Sequence, residues 1–464
     1  MRFSAAGTAE RILPAGLGRR ARPVLGKVDA ILFASDERGQ AGRMSLIAFA
    51  IRILSAVIGF VSQVLMARWM GTFDYGIFVL VWLVVVIAGS LSCLGFHTSV
   101  VRFVPEYRER NMLAELRGIV ATSRVFVLVA SSVLTALGLL VFWLFRDRVA
   151  PFYVAPFMLG FLCLPMVALG DTMQGLARSR SWAIAALAPT FILRPVLILV
   201  VMAAAVGLGY PPNAEVAVIS ALIATYLTTI GQVVVISGWM SREMVPGPSR
   251  VLLRHWLVVS LPIFLSESFF FLLTNADVLM VGVYMQPDDV GVYFATVKTL
   301  ALVHFVYFAV KAGAAQRYAQ FTHGNPEGLA AFARETVSWT FWPSLLMSLA
   351  VLLAGEPLLA LFGPEFVSGY WLLFPLLAGV IMRAAIGPAE ALLTMSGHQN
   401  ACAAVFAATL VFNIALSVVL IPHFGLWGAA IATALSILFE AIGLAWTVWR
   451  KHGFVMFVFA PRRS

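Results

Sequence analysis

The sequence predicts an all-α polytopic membrane protein, with about twelve transmembrane helices in two parallel six-helix lobes around a central cavity. Three observations predict it. Long apolar runs fill most of the chain, basic residues fall in alternate loops, and a hairpin motif near the start recurs midway. Composition argues the first point: the 464 residues are 61% hydrophobic and 12% charged, against about 25% charged in an average soluble domain. A water-soluble fold could not bury that much apolar surface.

The expected spans are roughly 45–69, 75–97, 119–145, 152–177, 182–208, 214–239, 256–284, 290–316, 336–361, 368–396, 400–421 and 424–449. Each is long enough for a helix, which crosses the hydrocarbon with about 20 residues. In lipid every backbone polar group needs an internal partner, so only helices and closed barrels span. Barrel strands alternate polar and apolar residues, and these continuous runs do not.

Basic residues set the orientation. The first 43 residues carry Arg2, Arg11, Arg19, Arg20, Arg22, Lys27, Arg38 and Arg43. The even-numbered loops add Arg102, Arg108, Arg110, Arg117, Arg178, Arg180, Arg242, Arg250, Arg254, Arg317 and Arg334, and the tail adds Arg450, Lys451, Arg462 and Arg463. Only Arg68, Arg146 and Arg148 fall on the other side. Positive charge stays in the cytoplasm, so both termini are expected there. Residues 1–43 have no apolar core and read as a basic cytoplasmic arm rather than a signal peptide, with a charge suited to anionic lipid.

A weak repeat divides the chain. An offset of 215 residues lays "VLMARWMGTFDYGIF" on "LMVGVYMQPDDVGVY", pairing Met70 with Met285, Asp74 with Asp289 and Gly76 with Gly291. Six spans per half put both halves in the same orientation, related by an axis along the membrane normal, with a substrate site between them. The expected units are an arm (1–43), a lobe (44–240), a cytoplasmic linker (241–255), a second lobe (256–450) and a tail (451–464). Pro165, Pro189, Pro195, Pro262, Pro343, Pro375 and Pro388 fall within spans, where proline frees a carbonyl and bends the axis.

Charges within the spans are the candidate site residues. A charge at mid-bilayer costs roughly 2.5–3.5 kcal/mol on insertion scales, so it should face the bundle interior or a partner. Arg52, Arg194, Arg383 and Lys298 are expected cavity cations, and Asp277, Glu267, Asp171 and Glu390 expected cavity or coupling carboxylates. Asp277 and Lys298 flank the short loop "QPDDV" and should lie at similar depth, roughly 12–14 Å from it at 1.5 Å per residue. Asp277 is expected to meet Lys298 or a proton; a purely structural ion pair is the competing account. Glu390 follows Arg383 by seven residues on one helical face, so mutual neutralisation competes with a cavity role for that pair. Arg52 could instead snorkel to the interface, and Asp171 could sit in a hydrated interfacial site. Glu440, in the last span, has no partner visible in the sequence.

Cys93, Cys163 and Cys402 lie far apart in apolar runs, with no metal-ligand spacing and no disulfide framework. The seven histidines are scattered, and no GxxxxGK[ST] loop or HExxH motif occurs. No cofactor is expected, and no nucleic-acid partner.

The motifs "ARWMGTFDYGIF", "SVVRFVPEYRERN", "NADVLMVGVYMQPDDVGVY" and "SGHQNACAAVFAATLVFNIALSVVLIPHFGLWGAAIATALS" resemble, in order and spacing, polysaccharide flippases of the multidrug/oligosaccharidyl-lipid/polysaccharide exporter superfamily. The resemblance spans about residues 45–450. It implies twelve helices in two lobes, alternating access, a bacterial inner membrane, and a lipid-linked oligosaccharide carried to the outer leaflet for surface polysaccharide. It also implies cavity cations matched to a diphosphate, and a polysaccharide polymerase and chain-length machinery as working partners besides membrane lipids. The membrane potential favours outward movement of two negative charges by roughly 4–5 kcal/mol per 100 mV; proton or sodium coupling through Asp277 or Glu267 is the other energy source. A cation-coupled multidrug exporter of the same superfamily is the second reading, and would be favoured by a net acidic cavity. A membrane-embedded polysaccharide polymerase or acyltransferase is the third; the short loops and absent catalytic clusters weigh against it.

Overall fold

The computed structural model describes residues 37–460 except 245 and 325, and side chains there except those of residues 37–50, 52, 266, 316, 322–324, 326 and 327. The expected arm therefore lies almost wholly outside the described residues. Every regular element among the described residues is helical. In chain order the α-helices are α1 (Glu37–Ser92), α2 (Phe96–Glu109), α3 (Leu113–Leu144), α4 (Pro151–Phe161), α5 (Leu164–Ser179), α6 (Ala183–Ala188), α7 (Arg194–Gly207) and α8 (Ala214–Glu243). They continue as α9 (Leu253–Leu273), α10 (Ala276–Tyr284), α11 (Pro287–Gly324), α12 (Pro326–Ala360), α13 (Leu373–Ala384), α14 (Ala389–Met395) and α15 (Gln399–His452).

Among the described residues nine stretches are long and apolar enough to cross a membrane, or ten when α4 and α5, bent 43° apart, count as one broken span. Two of them, Ile53–Glu109 and Gln399–His452, run to 57 and 54 residues. Each contains a glycine outside helical geometry: Gly71 (φ 73°, ψ −178°) and Gly425 (φ 56°, ψ −134°). Glycine adopts positive φ without steric penalty, and the chain folds back there. Tyr75 Oη donates to Gln63 Oε1 at 2.9 Å, yet twelve residues of straight helix would separate them by roughly 18 Å. Asn413 Nδ2 likewise donates to Ser436 Oγ at 3.1 Å across 23 residues. Both long helices are hairpins.

Several expected prolines sit where helices break. Pro165 lies in the first turn of α5, Pro189 opens a π-helical segment (Pro189–Leu193) between α6 and α7, and Pro388 caps α14. Pro262 and Pro343 are accommodated inside α9 and α12. The expected span 256–284 is interrupted at Thr274–Asn275, between α9 and α10. Asn275 Nδ2 donates to the Phe271 carbonyl at 2.8 Å, meeting part of the hydrogen-bonding lost at the break. Much of the outer surface is apolar; only 17% of the most apolar part of α3 is buried, as lipid contact requires.

The halves meet backbone to backbone at one end. A methyl group on Gly76 would lie 1.8 Å from the Pro287 carbonyl oxygen and 3.0 Å from Gly291 N. A methyl on Gly291 would lie 2.6 Å from the Thr72 carbonyl oxygen and 3.4 Å from Gly76 N. Thr72 and Pro287 are themselves 215 residues apart, the repeat offset. Residue i touching the mate of j, and j the mate of i, is the signature of a two-fold interface. Polar contacts seal the same end: Thr72 Oγ1 donates to Asp288 Oδ1 (2.5 Å), and Arg68 Nε to the Leu361 carbonyl (2.6 Å).

Towards the other end, α9 packs on α2. Trp256, fully buried, donates from Nε1 to Tyr107 Oη at 2.9 Å, and Ser260 Oγ donates to Ser99 Oγ at 2.7 Å. The three cysteines are buried and free. Gly76→Val should overpack the sealed end at a cost of about 1–3 kcal/mol. The check is the melting temperature of the purified chain in detergent; an unchanged value would mean that the hairpins do not touch.

Candidate functional site

Among the described residues, two cavities lie between the halves. The larger, about 510 Å3, is lined by Ser90 and His97 from the N-terminal half and by Glu267, Lys311, Glu390 and Gln399 from the C-terminal half, among others. The second, about 410 Å3, is lined by Gln63 and Trp82 from α1, Asn275 from the α9–α10 break, and Phe294 and Lys298 from α11. Phe271 lines both. The larger cavity sits near the ends of spans expected to face the cytoplasm. The smaller one lies deeper, towards the sealed end.

Paired charges surround the larger cavity. Glu267 accepts from Thr98 Oγ1 (2.9 and 3.0 Å) and lies 3.2 Å from His97 Nε2. Lys311 Nζ lies 3.0 Å from Glu390 Oε1. Behind that pair, Arg383 donates to Glu390 Oε2 (3.0 Å), to Tyr307 Oη (3.0 Å) and to Glu440 Oε1. Two cations and two carboxylates thus form one network. Burying any member alone would cost several kcal/mol; paired and hydrogen-bonded, they offset one another. The partner of Glu440 that the sequence does not reveal is Arg383, on another helix.

The deeper cavity is different. Lys298 Nζ stands 4.6 Å from the centre of the Phe294 ring, and no carboxylate oxygen among the described residues comes within 4.0 Å of it. Its lining neighbours Gln63 and Asn275 are neutral. Two lysines and two glutamates line the cavities together, so the lining is not net acidic, and its deeper part is cationic.

The remaining expected residues fall elsewhere. Asp277 is buried, accepting from Val278 N (2.9 Å) and Tyr293 Oη (3.2 Å). Tyr293 also reaches Thr433 Oγ1 at 3.3 Å, tying α10, α11 and α15 together. Asp277 lines neither cavity and makes no ion pair with Lys298 within 4.0 Å. Arg194 is buried inside the N-terminal half, where a methyl on Gly170 would lie 3.4 Å from Nη2; it lines neither cavity. Asp171 accepts from Ser90 Oγ at 2.7 Å and so touches the larger cavity through that serine. Arg383 stands behind Glu390 rather than in the lining. The Arg52 side chain lies outside the described residues.

Sequence reasoning missed Lys311, His97, Gln63 and Asn275. The signal for Lys311 was present, since it falls inside the expected span 290–316, thirteen residues after Lys298. His97 closes an expected span and reads there as an interfacial residue; only the packing of α9 on α2 brings Glu267 to it.

The family described as polysaccharide biosynthesis protein matches residues 42–315. Solved structures share the fold. The lipid II flippase MurJ, in an inward closed conformation, aligns with a TM-score of 0.67 at 12% identity, covering 87% of each chain. An inward-facing multidrug resistance MATE family transporter of the MOP superfamily aligns with a TM-score of 0.66 at 16% identity, covering 87% of this chain and 97% of that one. A MOP superfamily transporter from Pyrococcus furiosus, described with a binding pocket of reverse polarity, aligns with a TM-score of 0.56 at 15% identity, covering 88% and 93%. Comparison of the sequence with curated proteins finds no match.

Breaking the buried network from one side should be costly. Glu440→Gln leaves the Arg383 guanidinium short of one counter-charge and should destabilise the protein by roughly 3–5 kcal/mol. Pairing it with Arg383→Met should recover part of the loss. Thermal unfolding of the two single variants and the double variant checks this; additive losses would dissolve the network.

Proposed function

The chain belongs to the polysaccharide biosynthesis protein family, and we propose that it is a flippase carrying a polyprenyl-diphosphate-linked oligosaccharide from the cytoplasmic to the outer leaflet by alternating access. Among the described residues, reading the Gly71 and Gly425 hairpins as two spans each, and α4–α5 as one, is consistent with twelve spans in two halves of six. The observation that carries the reading is Lys298, a lysine without a carboxylate within 4.0 Å in a cavity between those halves. A cation with no counter-charge in contact is expensive in a lipid-embedded protein, and the buried Asp277 carboxylate acts on Lys298 only from beyond ion-pair distance. Such a cost is offset when an anion arrives, and a diphosphate supplies that anion. Lysine suits the task as a compact, flexible point charge.

Lys311 extends the argument. It lines the larger cavity about 20 Å along the same helix from Lys298, at 1.5 Å per residue, and is held by Glu390. A diphosphate entering from the cytoplasmic end meets Lys311 first, competes with Glu390 for it, and passes to Lys298, which no carboxylate among the described residues contacts within 4.0 Å. The sealed contacts of Gly76 with Pro287 and of Thr72 with Asp288 then stand between the anion and the outer face. Opening that end while closing the other completes one cycle, and the membrane potential helps the charge outward.

Lys298→Gln should abolish transport, and Lys298→Arg should keep a measurable part of it, at equal amounts of protein in the membrane. The measurement is the amount of lipid-linked oligosaccharide accumulating on the inner leaflet of a deletion strain complemented with each variant. Wild-type transport by Lys298→Gln would remove the basis of the proposal. Sensitivity to cationic drugs without such accumulation in the deletion strain would favour the multidrug reading instead.

A further inference from the structure

A third cavity, away from both of those between the halves, lies at the end of the N-terminal half that carries most of its basic residues. It measures about 200 Å3 and is bounded by the end of α2, the start of α3, the turn after α5 and the end of α8. Three arginines line it, Arg108, Arg117 and Arg180, with Glu243 as its single lining acidic residue. Glu243 is already engaged by Arg180. The lining therefore carries two positive charges in excess.

The site is built rather than incidental. The Arg180 side chain is only 9% exposed and stands 5.8 Å from the centre of the Trp182 ring. Burial, with Arg108 alongside, makes the Arg180 guanidinium less ready to hold its proton than an arginine in water. Arg117 is anchored by donating from Nε to the Pro248 carbonyl at 2.9 Å. Arg108 makes no ion pair within 4.0 Å among the described residues; Glu106, on its own helix, serves Arg102 and Arg110. Val104, Leu116 and Met240 supply an apolar wall to the same cavity.

We propose that this cavity is a binding site for a phosphate group, with the Arg108, Arg117 and Arg180 guanidinium groups as its donors. Planar guanidinium forks match phosphate oxygens in pairs. Basic pockets between transmembrane helices at the cytoplasmic face take up anionic headgroups. The apolar wall suits the glycerol and first methylenes of a phospholipid. A free phosphate ion would satisfy the same three donors, and the experiment separates the two sources.

The full chain would be purified into vesicles of phosphatidylglycerol mixed with phosphatidylcholine, and lipids retained after extraction counted by native mass spectrometry. The variants are Arg108→Gln, Arg117→Gln and, at the opposite end, Arg146→Gln with Arg148→Gln as control. In parallel, melting temperature is read with inorganic phosphate and with chloride at matched ionic strength. Retained phosphatidylglycerol should fall about fivefold for each arginine removed, with phosphatidylcholine and the control unchanged. A phosphate-specific rise in melting temperature lost in Arg108→Gln, without a lipid preference, would assign the site to the free ion. Arg108 is exposed, so its variant should fold; Arg117→Lys, which keeps the charge, guards against misfolding at that position. If neither readout depends on Arg108 or Arg117, or the control loses as much lipid, the cavity is not a phosphate site.

Discussion

Two glycines without side chains let the halves of this protein touch through their backbones, and the rest of the architecture follows from that contact. Gly76 and Gly291 leave no room for a Cβ, so the first hairpin and the start of α11 close on one another as tightly as two peptide planes allow. Away from the glycines the two cavities open between the halves, the deeper one walled largely by α1 and α11. Reciprocity of the contact also explains why it is so close. Residues near a two-fold axis meet their own mates, and only small residues let backbones cross there.

The membrane sorts the charges into two kinds. Arg383, Glu390, Glu440 and Lys311 neutralise one another across four helices, which lets ions persist in lipid at little net cost. Asp277 achieves the same with neutral donors, a tyrosine hydroxyl and a backbone amide. Lys298 has neither arrangement. Its ammonium meets the face of Phe294, in a cavity that Gln63 and Asn275 also line, a setting weak enough to be exchanged for a stronger partner. The division between paired and unpaired charges separates those that hold the bundle together from the one on which the proposed function rests.

Much of this was legible in the sequence, for physical reasons. Apolar runs of bilayer length admit only helices, so the fold class followed from composition and run length. The 215-residue offset, weak as a statistical signal, pointed to Gly76 and Gly291, which prove to be in contact. Side-chain pairings were far less readable. Arg383 finds Glu440 across 57 positions, and nothing in local spacing marks a pair fixed by the packing of α13 on α15. Spacing along the hairpin placed Asp277 near Lys298 in depth, but the contacts of the carboxylate, Tyr293 Oη and Val278 N, were not readable from it, because depth fixes one coordinate and rotation about the helix axis another. Arg194, expected to face inward, does so inside one half rather than between the two.

The interruption at Thr274–Asn275 has a mechanical meaning. The early turns of α9 are clamped to α2 by Trp256 and Ser260, while farther along Phe270 packs on Phe406 of α15 at 5.3 Å between ring centres. One crossing is therefore a strut bolted to both halves, and any rocking of one against the other loads it like a beam. The ladder of backbone bonds shifts register at Asn275, whose N–H bonds three residues back to the Leu272 carbonyl while its side-chain amide takes the Phe271 carbonyl. Under such a load bending would fall at that knee rather than in an intact helix, beside Lys298 on the wall of the deeper chamber.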